Sequence, residues 1–218
     1  AAPSFLRTHP ITLDRISDIE DRLTQIPYKQ REDELSFALV RAKLQAFEGN
    51  PSASISLLKT NIRNKSGVNQ DADHFALAYA YLRGGKLKQA QDSFDQIKHL
   101  QTVNPMVNEL KANLLLKSDK VNELEKHYKQ ALLIFPNYKA YIYGLAHLYL
   151  STNQIKKAML LLEEYESIQP YDANLYKLLA TAHSANGSLY LEHKNLSEYF
   201  YYNFDLKEAW HALFSDSA

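Results

Sequence analysis

Cysteine is absent from the 218 residues, and with it go disulfide cross-links, thiolate-ligated zinc and thiol nucleophiles. The absence leaves the redox compartment open. Neither sign of charge is in excess: Lys plus Arg and Asp plus Glu both total 25. Without a basic stripe to neutralise phosphates, a nucleic-acid partner is not expected. No apolar run approaches the ~18 residues that a membrane-spanning helix needs. Glycine and proline are scarce, at 6 and 7 residues. A many-turned β sandwich would consume more of both; long helices joined by short turns would not. What is present is an ordinary folded complement, 45% hydrophobic and 23% charged, with 15 tyrosines. That balance argues for a packed core rather than a disordered chain.

Prolines punctuate the second half at Pro105, Pro136 and Pro170, gaps of 31 and 34 residues. Aligning Pro136 with Pro170 places equivalent starts at 105 and 139, and a step of 34 adds 71 and 173. In that register the eighth place holds Ala78, Ala112, Ala146 and Ala180, and the eleventh Tyr81, Leu115, Tyr149 and His183. The twentieth holds Ala90, Leu124 and Ala158, and the twenty-fourth Phe94, Tyr128 and Leu162. Small residues at the eighth and twentieth places let two antiparallel helices approach closely, and large ones fill the space between units. Polar turns, "RGGKL", "KSDKV", "STNQI" and "SANGSL", fall between the paired helices at lengths suited to antiparallel neighbours. Two departures occur in the 105 unit: Lys111 stands at the seventh place, where a large apolar residue is expected, and Leu124 replaces a small residue. That unit is expected to pack more loosely.

The pattern resembles the tetratricopeptide repeat (TPR). It implies an all-α fold, a TPR-type α-solenoid of antiparallel helix pairs stacked into a right-handed superhelix. A degenerate unit starts near 35, with Ala42 at the eighth place and Gly49-Asn50 in its turn, and a final helix pair follows near 188–216. The array thus covers 35–218, with units near 35, 71, 105, 139 and 173. In the family the second, fifth, ninth, twelfth and thirteenth places of the first helix face a groove. Carried onto this sequence, that groove presents Phe75, Tyr79, Arg83, Glu109, Asn113, Lys117, Tyr143, His147, Lys177 and Ser184. Such a mixed surface with aromatic anchors suits peptide or protein recognition. For Phe75 and Tyr79 a place in the core between repeats is the alternative. The pattern with which some TPR cochaperones clamp an acidic C-terminal tail is missing, since Glu109 stands where a Lys is required.

Signs of chemistry are missing too. None of the eight histidines is followed by Glu, and no two are four apart, so the helical zinc-peptidase motif does not occur. His183 and His193, ten residues apart, make a poor metal pair. Gly84-Gly85 belongs to a turn rather than a phosphate loop, and no Gly-x-Ser-x-Gly exists. No catalytic residue, metal ligand or cofactor site is expected in this chain.

The stretch 1–34 reads differently. Pro10 follows His9, Thr12 is a plausible N-cap, and Ile16, Ile19, Leu23 and Ile26 give a helix to Ile26 one apolar face before Pro27 ends it. "FLRTHPITLDRISDIEDRL" resembles a segment of the BepA-like periplasmic zinc metallopeptidases, a gluzincin family. There a Thr-His-Pro corner and a helix opening on Arg-Ile close the catalytic domain ahead of a C-terminal TPR array. "EYFYYNFDLKEAWHAL" at 198–213 resembles that family's last helix pair. The resemblance implies that 1–34 is the tail of a peptidase domain lying upstream, with zinc expected only there. It implies a periplasmic, non-catalytic interaction domain of a zinc metalloendopeptidase active in outer-membrane protein assembly and quality control. Its partners would be the assembly machinery or unfolded outer-membrane proteins, and its own peptidase domain. The alternative is a stand-alone TPR adaptor of envelope or pilus assembly. An enzyme acting through His183 and His193 is a distant third.

Overall fold

The computed structural model describes residues 34–67 and 69–214. The chain divides into two units after Glu34, and the helices named below belong to the second, Leu35–Ala218. The corner at His9-Pro10 and the helix from Thr12 to Ile26 lie outside the described residues.

Eleven α-helices make up the described residues: α1 (Leu35–Phe47), α2 (Pro51–Asn64), α3 (Gln70–Arg83), α4 (Leu87–Asp95), α5 (Pro105–Lys117), α6 (Val121–Ile134), α7 (Lys139–Ser151), α8 (Ile155–Glu166), α9 (Ala173–Ala185), α10 (Leu189–Tyr202) and α11 (Leu206–Phe214). A 3₁₀ turn at Lys98–Leu100 joins α4 to α5. Each helix packs on the next, and the first helices also pack side by side, α1 on α3, α3 on α5 and α7 on α9. The result is a solenoid of antiparallel helix pairs.

The turns inside the pairs share one chemistry. Gly85, Asp119, Asn153 and Gly187, each 34 residues after the last, adopt left-handed φ of 70°, 55°, 57° and 77°. The amide after each one reaches back to an orphan carbonyl of the first helix: Lys86 to Tyr81 at 2.8 Å, Lys120 to Leu115 at 3.2 Å, Gln154 to Tyr149 at 2.8 Å and Ser188 to His183 at 2.9 Å. This closure ends the first helix and reverses the chain. The second helices after these four turns, α4, α6, α8 and α10, begin without a side-chain cap, while α2 is capped by Asn50. Three first helices, α3, α5 and α9, are capped where the chain enters from the previous pair, by Asn69, Asn104 and Asp172, while α7 has no side-chain cap.

The small residues sit where the helices meet. Ala78, Ala112, Ala146 and Ala180 are all at most 2% exposed, and Ala90 and Ala158 are fully buried. Phe94, Tyr128 and Leu162 fill the inter-unit space, each worth about 1.5–3 kcal/mol of burial. The apolar core is not continuous. Val107, Leu110 and Leu114 on one face of α5 join the core of α1–α4, while Ala112 and Leu115 join that of α6–α8. Lys111 lies at this division, half-buried, its ammonium 5.5 Å above the Phe94 ring. An ammonium on an aliphatic stem covers the ring without filling the seventh-place socket. Tyr141, fully buried, bridges the division by donating its hydroxyl to the Pro105 carbonyl.

Candidate functional site

The first helices of three successive units carry a groove of about 450 Å³. Its walls come from the ninth, twelfth and thirteenth places of those helices, with Glu109 from a fifth place. Residues at i, i+3 and i+4 share a helix face, so one register rule selects them all.

Aromatic rings form the floor. Tyr79 is 4% exposed, its ring 5.8 Å from Phe47 and 5.0 Å from Phe75. Asn113 donates from its carboxamide to the Tyr79 hydroxyl at 3.4 Å. Burial first, and then the Glu109 carboxylate, raises the Tyr79 hydroxyl well above the usual phenol range, against the opposing bond from Asn113. The phenol therefore stays neutral.

Three cations and one carboxylate ring this floor. Lys43 pairs with Glu109 at 3.1 Å and lies 5.0 Å above the Tyr79 ring. Arg83 donates to the Ala46 carbonyl at 2.5 Å and the Gly49 carbonyl at 3.0 Å while lying 5.2 Å over Phe47. It ties the end of α1 and its turn to α3. Lys117 is exposed and makes no ion pair among the described residues. Leu82 and Leu116 complete the wall, with Leu116 56% exposed. A site of this make-up has apolar surface to cover and, among the described residues, one exposed ammonium with no ion-pair partner.

Of the ten residues the register selects, Tyr79, Arg83, Glu109, Asn113 and Lys117 line this groove. Phe75 does not: it is fully buried in the core of the first repeats, edge-on to Tyr79. Its place is in the core. Tyr143 stands apart, edge-on to Tyr165 at 5.9 Å, beneath the Lys139 ammonium at 5.5 Å. Burial, and then the Asp172 carboxylate beside it, raises the Tyr143 hydroxyl. His147 and Ser184 are exposed, and Lys177 lies 5.5 Å over the Tyr199 ring. None of these four lines the groove. Four lining residues were missed: Lys43 and Phe47, the ninth and thirteenth places of the unit starting at 35, and Leu82 and Leu116, twelfth places. The same register would have found them had it been carried into the degenerate first unit and to every twelfth place.

Among the described residues no group of three His, Asp or Glu side chains stands together as a metal site. His183 is buried in α9 at the eleventh place, a packing position. No helix among the described residues is long and apolar enough to cross a membrane.

Residues 115–182 match the family model of the tetratricopeptide repeat. Solved structures of such proteins superpose on the chain. The fold is that of a tetratricopeptide-repeat domain. YrrB, described as a TPR protein with an unusual peptide-binding site, covers 90% of this chain and 96% of its own, with a TM-score of 0.54 at 12% identity. A TPR protein from Parabacteroides merdae covers 92% of this chain and 75% of its own, with a TM-score of 0.59 at 16% identity. MamA from Desulfovibrio magneticus covers 66% and 92%, with a TM-score of 0.52 at 17% identity. At such identities the likeness is one of fold. No curated protein sequence matches. Stacked helix pairs of this kind form extended surfaces, a geometry that suits contact with other proteins.

Proposed function

We propose that this chain holds an extended segment of a partner protein in the groove across α1, α3 and α5. The observation that carries the reading is the groove itself: apolar rings and leucines left partly uncovered on one face, framed by polar groups that are already paired, Lys117 excepted. Recognition of this kind rests on a few aromatic anchors in a pocket with a polar rim.

The parent, on this proposal, is a BepA-like zinc metallopeptidase of the periplasm, and the array docks it to outer-membrane assembly machinery or to unfolded outer-membrane proteins. The support is the order of the sequence, Thr-His-Pro at 8–10 and Arg-Ile at 15–16 ahead of a TPR array. A His-Glu-x-x-His helix in the coding sequence upstream of Ala1 would fit the parentage; a lipoprotein signal there would make the chain a stand-alone adaptor.

The groove is tested with photo-crosslinking residues placed at Leu116 or Lys117, and as controls at Leu57 or Leu160, exposed positions on the second helices α2 and α8. Capture of one partner at the first two positions and not at the controls is expected. Capture confined to the controls refutes the groove reading.

A further inference from the structure

We infer that the segment this groove receives presents a large apolar side chain with an acidic side chain close to it in sequence. The apolar group seats among Phe47, Tyr79, Leu82 and Leu116, and the acid pairs with Lys117. The inference rests on the peptide-groove reading above and narrows it to a class of ligand.

Charge decides the second half of the motif. The lining carries three cations, Lys43, Arg83 and Lys117, against the single carboxylate of Glu109. Two of the cations are occupied. Lys43 is held 3.1 Å from Glu109, and Arg83 spends its guanidinium on the Ala46 and Gly49 carbonyls at 2.5 and 3.0 Å. Lys117 alone is left exposed and unpaired among the described residues, beside Leu116. A basic segment would have to take Glu109 from Lys43 and leave that half-buried ammonium, 5.0 Å over the Tyr79 ring, without its counter-ion. An acidic one needs no rearrangement.

The carboxylate belongs to an Asp or Glu close in sequence to a Phe, Tyr, Trp, Leu or Met. A chain terminus would offer the Lys117 ammonium the same two oxygens, so the peptides of the test are amidated and present side-chain carboxylates alone.

The test uses the 218-residue chain and a bead library of seven-residue peptides, random at every position, with amidated C-termini. Selection is repeated on Lys117→Gln and Leu116→Arg. The expected outcome is enrichment of a large apolar residue with an acid within three positions. Replacing that acid by its amide should weaken a selected peptide about two- to fivefold at low salt, the range for an exposed charge pair. The loss should shrink in high salt and vanish in Lys117→Gln. Enriched peptides without an acidic bias, or an acidic bias that persists in Lys117→Gln, overturn the inference and leave the groove reading standing. Peptides whose binding is indifferent to Leu116→Arg, or no enrichment at all, overturn the groove reading and the inference with it.

Discussion

Gly144 lies in the middle of α7, where alanine is ordinarily preferred by about 1 kcal/mol. Here the preference should reverse. A Cβ built at Gly144 would lie 2.5 Å from Cζ and 2.9 Å from Cε1 of Tyr128, and closer still to its hydroxyl. Tyr128 is 8% exposed and lies in the core of α6–α8, 6.4 Å from the ring of Tyr141, so its ring has no free direction in which to yield. Forcing a methyl into such a core costs roughly 1–3 kcal/mol, and with three atoms inside contact distance the upper part of that range applies. Subtracting the propensity gain leaves Gly144→Ala destabilising by about 1–2 kcal/mol. The companion variant is Tyr128→Leu, since leucine already stands at the equivalent place, Leu162, one repeat later. In that background the clash is gone, and Gly144→Ala should stabilise by about 1 kcal/mol. The coupling of the pair is then about 2–3 kcal/mol. Urea unfolding followed by far-ultraviolet circular dichroism of the four proteins measures it as shifts in midpoint. A stabilising Gly144→Ala in the wild-type background, or a coupling under about 0.5 kcal/mol, would refute the argument that Tyr128 occupies the glycine's missing side chain.

Two further perturbations follow from single residues. Phe204 holds a left-handed φ of 62° between α10 and α11 while 92% exposed, so its ring returns nothing for the strain; Phe204→Gly should raise stability by about 0.5–1 kcal/mol, read from the same urea midpoint, and no gain would show that the ring is packed in solution. Asp172 caps α9 by accepting from the Asn174 amide at 3.0 Å and pairs with Lys139 across the repeat boundary. Burial alone would raise its carboxyl, but Lys139, Tyr143 and the Asn174 amide together outweigh burial and hold it below the usual carboxylate range. A folded value below the unfolded one gives stability that is fully present above about pH 4 and is lost as pH falls below it. Asp172→Asn keeps the cap but not the charge, so it should cost about 1 kcal/mol at pH 7 and progressively less toward pH 3. An equal cost at both pH values would contradict the pairing.

The repeat was legible because its signal is a packing constraint. Only a small residue lets helices meet at Ala78, Ala112, Ala146 and Ala180, and the left-handed turn after each first helix admits only Gly, Asn or Asp in four units at a spacing of 34. The groove was half legible. A register gives the face on which a residue lies and says nothing of what covers that face. Phe75 shares the groove register of Tyr79 but is fully buried in the core, and Arg83 lines the groove yet is claimed by two backbone carbonyls. Lys43 and Phe47, the ninth and thirteenth places of the unit starting at 35, escaped because the groove register was carried only onto the units from 71 onward. The split in the core at α5 had a trace in Lys111, the one seventh place without an apolar residue among the units from 71 to 173.

That split also explains why the groove stops where it does. Along α1, α3 and α5 the ninth-place residues form a line, Lys43 over the Tyr79 ring and Asn113 bonded to the Tyr79 hydroxyl. The next ninth place, His147, stands exposed outside this line, because α5 meets the following repeat through α6 and the Tyr141 bridge while α7 packs on α9. Three helices packed side by side at about 8–10 Å span on the order of 20 Å. An extended chain covers that distance with about six residues at ~3.3 Å each. A segment of six or seven residues therefore fills the face, long enough to carry one apolar anchor to the Tyr79 floor and one acid to Lys117, and too short to need the second half of the array. Deleting binding with Leu116→Arg while retaining it with substitutions at His147 or Lys177 is the consequence of this geometry, and a partner that required all three positions would require a different path across the repeats.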